Sequence, residues 1–176
     1  ALDFPMVLIH RTSPDQLNIP CVTVENKAAS RQLVEHLIQV HGRRRIAFLQ
    51  GAQGHEDSFW REAGYREALE RNGLSFDPAL VAPGEFDRDI AQVSTTRLLE
   101  SGVDLDAIFA CDDESAVGVL EALHAAGRRV PEDVALLGFD DQRLSAYLNP
   151  PLTTVRAPTE EVGRAARHLP PGLRRP

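Results

Sequence analysis

Short, nearly continuous apolar runs alternate along this chain with longer stretches in which apolar residues recur every three or four positions. The runs fall at residues 6–9, 21–24, 46–49, 80–81, 107–110, 134–137 and 152–155, and they predict strands covered on both faces. Between them the helical period predicts helices over about 26–41, 58–72, 87–101, 114–126 and 159–168. Stop signals agree: Gly42, Gly73, Gly102 and Gly127 follow the first four, and Pro131 stands just beyond the fourth. The apolar stripes are read as Leu33, Val34, Leu37 and Ile38 in the first helix, and Phe59, Ala63 and Leu69 in the second. In the third they are Ile90, Val93 and Leu98, and in the fourth Val117, Leu120 and Leu123. Strand and helix in strict alternation give an α/β fold with a doubly wound parallel sheet and right-handed crossovers. In such sheets ligands bind outside the carboxyl ends of the strands, so those ends are where chemistry is sought.

Composition narrows the partners. With 176 residues and 43% hydrophobic content the chain can bury a sizeable core. A formal net charge of -7 argues against nucleic acid as a direct partner, because phosphate binding needs clustered Lys and Arg. The run Arg43-Arg44-Arg45 could form a phosphate patch, but its place between a helix end and a strand favours a solvated connector. Cys21 and Cys111 are far apart, without the spacing of a zinc or redox pair, and are expected to be buried thiols in a reducing compartment. No secretory leader is visible, and no window approaches the roughly 18 apolar residues of a membrane span. A cytoplasmic protein without membrane contact is expected. The first residue is not Met, and the tail from Pro170 to Pro176 is abrupt, which suggests part of a longer chain.

Polar residues gather after three of the predicted strands. The first group is Gln50-Gly51-Ala52-Gln53-Gly54-His55-Glu56-Asp57; it is Gly-rich but matches neither GxGxxG nor a P-loop, leaving a phosphate cradle, a ligand-facing loop or a plain flexible loop. The second is Asp112-Asp113-Glu114, where three acids could hold a metal or serve as acid and base. Chain neighbours seldom converge on one point, however, and a helix N-terminus accounts for Asp113 and Glu114, leaving Asp112 at the strand tip as the site candidate. The third is Asp140-Asp141, where one acid caps the next segment and the other faces the cleft. Arg61, in the helix after the Gly-rich loop, completes the set; alone, a helical Arg is usually solvated. No nucleophile stands beside a base, the six His are scattered, and neither a metal nor a cofactor is expected.

Several stretches in order resemble the effector-binding domain of the LacI/GalR family of transcriptional regulators. They are Val24-Glu25-Asn26-Lys27-Ala28-Ala29, Arg44-Arg45-Ile46-Ala47-Phe48-Leu49, and Arg61-Glu62-Ala63-Gly64-Tyr65-Arg66-Glu67-Ala68-Leu69. They continue with Asp106-Ala107-Ile108-Phe109-Ala110-Cys111-Asp112-Asp113, Val130-Pro131-Glu132-Asp133-Val134, Gly138-Phe139-Asp140-Asp141 and Pro150-Pro151-Leu152-Thr153-Thr154-Val155-Arg156. Together they span about residues 4 to 169.

The resemblance implies a periplasmic-binding-protein-like type I fold, with one nearly complete Rossmann-like lobe and part of a second, incomplete at both ends. Residues 1–45 would belong to the N-terminal lobe, 46–153 to the C-terminal lobe, and 154–176 to a crossover and return helix. It implies no catalysis, but a small effector such as a sugar held between the lobes to control DNA binding. DNA would be read only by a helix-turn-helix domain absent from this chain; the same sensor attached to a diguanylate cyclase or histidine kinase is the alternative, and an exported solute-binding protein or an enzyme fits less well. Effector contacts carry over to Arg61, gripping hydroxyls or a carboxylate, to Phe86 as an aromatic packing on the ligand ring, and to Asp140 as an acceptor. Asp112 stands where the family usually has Asn, implying a ligand that offers only donors there or is cationic. His55 and Asp57 match loop contacts of some members. A homodimer is implied, with Val117, Tyr147 and Leu148 in its interface, and the chain by itself is expected to bind effector poorly.

Overall fold

The structure, a computed structural model, describes residues 6–14 and 17–169, so the first residues of the resemblance and the tail from 170 lie outside the described residues. The elements are β1 (Leu8–Ile9), β2 (Cys21–Val22), α1 (Asn26–Gln39), β3 (Ile46–Gln50), α2 (Glu56–Arg71), β4 (Val81–Pro83) and α3 (Arg88–Glu100). They continue as β5 (Ala107–Ala110), α4 (Asp113–Ala125), β6 (Ala135–Asp140), β7 (Thr153–Arg156) and α5 (Thr159–His168). Short 3-10 turns at Pro78–Leu80 and Arg143–Tyr147 complete the order; neither was expected, Leu80 having been placed in a strand.

Two compact units result. The larger covers Asn26–Arg156; the smaller joins the stretch up to Glu25 to that from Ala157 onward. In the smaller unit β1 and β2 pair in parallel and α5 packs against them through a face that buries Val162. The division expected at residues 45 and 153 differs from this one: α1 packs along α2, and β7 hydrogen-bonds to β6, so both belong with the larger unit.

The larger unit is a five-stranded, wholly parallel sheet in the order β4-β3-β5-β6-β7. Chain order runs from β3 outward to β4 and then returns to β5 on the other side, so the switch point lies between β3 and β5. Strand side chains alternate between two helical layers, as the period of two requires. Ala47, Leu49, Ile108, Ala110 and Leu136 pack with α3 and α4 around Ala91, Leu98, Ala116, Val119 and Leu123. On the opposite face Phe48 stacks on Tyr65 of α2 at 5.2 Å and meets Phe109 at 5.3 Å, and the Tyr65 hydroxyl donates to Ile46 O at 2.9 Å.

Val34, Leu37, Ile38, Leu69, Leu98, Leu120 and Leu123 are buried as expected, but the faces of α2 and α3 depart in part from the expected stripes. Phe59 is 64% exposed, and α2 instead buries Asp57, Ser58, Arg61, Gly64, Tyr65, Ala68 and Leu69. Ile90 and Val93 are exposed too, α3 burying Ala91, Ser94, Thr95 and Leu98. Close packing selects small residues here: a Cβ on Gly118 of α4 would lie 2.0 Å from Arg88 O. Cys111 is buried, as expected, and burial pushes its thiol up to about 12. Cys21, expected to be buried, is exposed, because β2 has two residues and pairs with β1 alone among the described residues.

Candidate functional site

The carboxyl ends of β5 and β6 carry a buried polar network built around Arg61. This side chain is 3% exposed, so every polar atom needs a protein partner. Nε donates to Asn26 Oδ1 at 2.9 Å, Nη1 to Cys111 O at 2.6 Å and Nη2 to Asp140 Oδ1 at 3.1 Å. The guanidinium lies over the Phe139 ring, 3.8 Å from its centroid, a placement that an aromatic face favours. Asn26, the first residue of α1, in turn donates from Nδ2 to Asp57 Oδ1 at 2.8 Å. The network thus ties the heads of α1 and α2 to the tips of β5 and β6.

Local sequence explains the arrangement. Gly64, one turn after Arg61, sits where a Cβ would lie 2.3 Å from Lys27 O, so the R-x-x-G spacing lets α1 approach closely enough for Asn26 to reach the guanidinium. Asp57 and Arg61 are one turn apart and share the buried face of α2. His55 caps that helix, its Nδ1 accepting from Asp57 N at 3.3 Å.

An aromatic wall stands beside the network. Phe86 follows a turn in which Gly84 N and Glu85 N both donate to Gln50 O, at 2.7 and 2.8 Å. Glu85 and Phe86 have φ of +57° and +59°, a left-handed conformation that costs a non-glycine residue free energy and turns the ring across β3. The ring lies directly on Gly51, where a Cβ would sit 2.2 Å from it, and meets His55 edge-on at 5.1 Å. Gly51→Ala is therefore expected to push Phe86 aside and weaken ligand affinity by about tenfold or more, with a stability loss of about 1–3 kcal/mol. Calorimetry and urea unfolding of the variant measure both.

The acids divide differently from the sequence reading. Asp112, expected to be left over, is itself the N-cap of α4: it is buried and its Oδ1 accepts from Ser115 N at 3.1 Å. Burial raises its carboxyl above the usual range, against the pull of Ser115. Asp113, assigned to capping, is fully buried and staples other elements together. Its Oδ2 accepts from Gln142 N at 2.7 Å and Ser145 Oγ at 2.6 Å, and its Oδ1 from Thr154 Oγ1 at 2.6 Å. Neither Asp140 nor Asp141 caps the following 3-10 turn, whose N-cap is Gln142; Asp141 accepts instead from Arg156.

Asp140 ends β6 with φ of +111° and is held by Arg61. Burial pushes its carboxyl up to about 6; Arg61 pulls it down, and Asp112 and Asp113 push it up again, so these charges share one neighbourhood. Of the candidates, Arg61 and Asp140 meet directly, Asp57 joins through Asn26, Asp112 lies in the same field, and His55 and Phe86 form the adjoining wall. Asn26 and Asp113 were missed as network members. Asn26 lies in the stretch Val24–Ala29 that carries part of the family resemblance. Among the described residues no group of three or more His, Cys, Asp or Glu is placed to hold a metal ion.

An open parallel sheet with a buried polar network and an aromatic wall at its switch point defines a small-molecule-binding α/β domain. Residues 34–169 match the family described as "Periplasmic binding protein-like domain", and the chain belongs to that family, in the form found in LacI-type regulators. It is 40% identical over 148 residues to "HTH-type transcriptional regulator CelR" of Thermobifida fusca, covering 84% of this chain and 43% of that protein. A LacI-family regulator from Sanguibacter keddieii superposes with a TM-score of 0.83 at 41% identity, over 93% of this chain and 60% of that one. The structure titled "transcriptional regulator CelR-cellobiose complex" does so with 0.85 at 37% identity, over 91% and 49%. The chain spans somewhat under half the length of the curated relatives it matches.

Proposed function

We propose that this chain is the effector-sensing region of a transcriptional regulator and binds a sugar or related small metabolite at the carboxyl edge of the five-stranded sheet, without catalysing a reaction. The observation that carries the reading is the Arg61 network, in which Asn26, Cys111, Asp140 and Phe139 hold one guanidinium at the switch point beside an aromatic wall. The similar structure titled "transcriptional regulator CelR-cellobiose complex" supports a saccharide as ligand class. Arg61, Asp140, Asp112, Phe86, Asp57 and His55 are the proposed contact shell: carboxylates accept from ligand hydroxyls, and Phe86 packs on the ring. Binding then biases an output domain, a coupling typically worth about 1–3 kcal/mol. DNA would be read by a helix-turn-helix region outside these residues, in the cytoplasm; no helix among the described residues is long and apolar enough to cross a membrane. Calorimetry with cellobiose, other neutral sugars and nucleosides, on this chain and on the full-length gene product, tests the proposal. Saturable binding that Phe86→Ala removes is the expected result, and binding unaffected by that change would overturn it.

Binding should depend on pH. Asp140 titrates near 6, facing Arg61 of α2, Asp112 and Asp113 at the head of α4, and Arg156, its register partner on β7. Ionised, it accepts from ligand donors; protonated, it loses acceptor capacity. Affinity for a hydroxyl-bearing ligand should hold above pH 6 and fall by up to about tenfold per unit below it. A flat calorimetric profile from pH 7.5 to 5 would exclude Asp140 as the acceptor.

A homodimer is the proposed assembly, since a two-fold dimer matches a palindromic operator. Tyr147 is 84% exposed, Val117 is partly exposed, and Leu148 packs in part against the core, so a patch is available to a second copy. The double change Val117→Asp with Tyr147→Asp is expected to weaken dimerisation at least about 100-fold, read by sedimentation as a shift to monomer.

A further inference from the structure

We infer that the site selects its ligand by charge, accepting an uncharged polyol or an amine-bearing saccharide and refusing one that carries a carboxylate or phosphate, with Asp112 as the residue that sets the preference. The inference rests on the saccharide-binding reading above and deepens it. Its first support is the state of the cation at the centre of the network. Each nitrogen of Arg61 spends one N–H, on Asn26, the Cys111 carbonyl and Asp140, and its charge is matched by the Asp140 carboxylate at 3.1 Å. A ligand anion would meet a cation whose charge Asp140 already balances, and would meet that carboxylate beside it.

The second support is Asp112. One oxygen, Oδ1, is spent on capping α4, and a carboxylate keeps further lone-pair sites with no proton to give. An amide at the same place would present both a donor and an acceptor. The amino end of α4 would otherwise attract an anion, since its free amides point there, but the capping carboxylate of Asp112 already occupies it. Asp113, the next residue, adds a second buried negative charge at the same helix end, and Asp140 a third across the sheet tips. An incoming carboxylate or phosphate meets like charge at close range in a partly desolvated place; an ammonium or a hydroxyl meets an acceptor.

The test is a matched panel measured by calorimetry on the full-length protein at pH 7.5: glucose, glucosamine and glucuronic acid, with the three corresponding β-1,4 disaccharides. The wild type is expected to bind the neutral or amine member of a set roughly 100-fold more tightly than the acid. Asp112→Asn, which still caps a helix and whose folding is checked by thermal unfolding, should narrow that ratio by about tenfold or more. Equal or tighter binding of a uronic acid would overturn the charge selection while leaving saccharide binding intact. A preserved ratio in Asp112→Asn would overturn the role of Asp112. Binding of no member would overturn the saccharide reading and this inference with it.

Discussion

Replacing Arg61 with alanine is expected to abolish ligand binding and to lower the unfolding free energy by about 3–5 kcal/mol. The guanidinium is buried, and its removal takes one donor each from Asn26 Oδ1, Cys111 O and Asp140 Oδ1, while Phe139 loses the group lying 3.8 Å above its ring. Acceptors that lose a buried, charged donor cost more than the hydrogen bonds contributed while intact. Arg61→Lys separates charge from geometry. An ammonium can face Asp140, yet it cannot span three acceptors that lie on α1, β6 and the end of β5. We expect it to recover part of the stability and little of the binding. Urea unfolding with an unchanged slope, together with calorimetry, measures both effects. A loss below about 1 kcal/mol in Arg61→Ala would show that the network reorganises around solvent and is not a support of the fold.

The layout of the fold was open to reading from sequence because strands buried on both faces must be continuously apolar, and β3 and β5 are. Ala107–Ala110 and Thr159–His168 coincide with the expected elements, and the other ends differ by a few residues at most. Which side of a helix is buried was less legible. In α2 the inward face near the strand tips is polar, since it lines the network, and this leaves Phe59 outside; hydrophobicity alone points the wrong way there. In α3 the contact with α4 is so close that Ala, Ser and Thr pack while Ile90 and Val93 do not. The meeting of Arg61 with Asp140 is a contact across 79 residues, so no local spacing encodes it, and only the topology or a resemblance places both at one edge. One partner of Arg61 was invisible for a related reason: it is the Cys111 main-chain carbonyl, and main-chain groups leave no mark on residue type.

Asp112 and Asp113 are adjacent acids at the start of one helix, and substitution should separate them by several kcal/mol. Asp112→Asn keeps a good capping side chain, so a stability change within about 0.5 kcal/mol is expected. Asp113→Ala removes the common acceptor of Gln142 N, Ser145 Oγ and Thr154 Oγ1, each within 2.7 Å of a carboxylate that is fully buried. Hydrogen bonds to a charged group contribute roughly 1.5–3 kcal/mol each, and stranded buried donors add their own cost, although the Thr154 hydroxyl can rotate towards other acceptors. A net loss of about 3–5 kcal/mol follows. The loss should also be local before it is global. Asp113 fixes the segment between β6 and β7, which carries the 3-10 turn with Tyr147 and begins at Asp140, so releasing it loosens both the site's acceptor and the proposed dimer patch. Hydrogen exchange at Gln142 should therefore rise towards that of an unprotected amide in Asp113→Ala, while amides of β3 and β5 keep their protection up to the lowered global limit. Equal costs for the two substitutions, or an unchanged Gln142 exchange rate, would show that Asp113 is one more helix-end charge and not the fastener of this edge of the sheet.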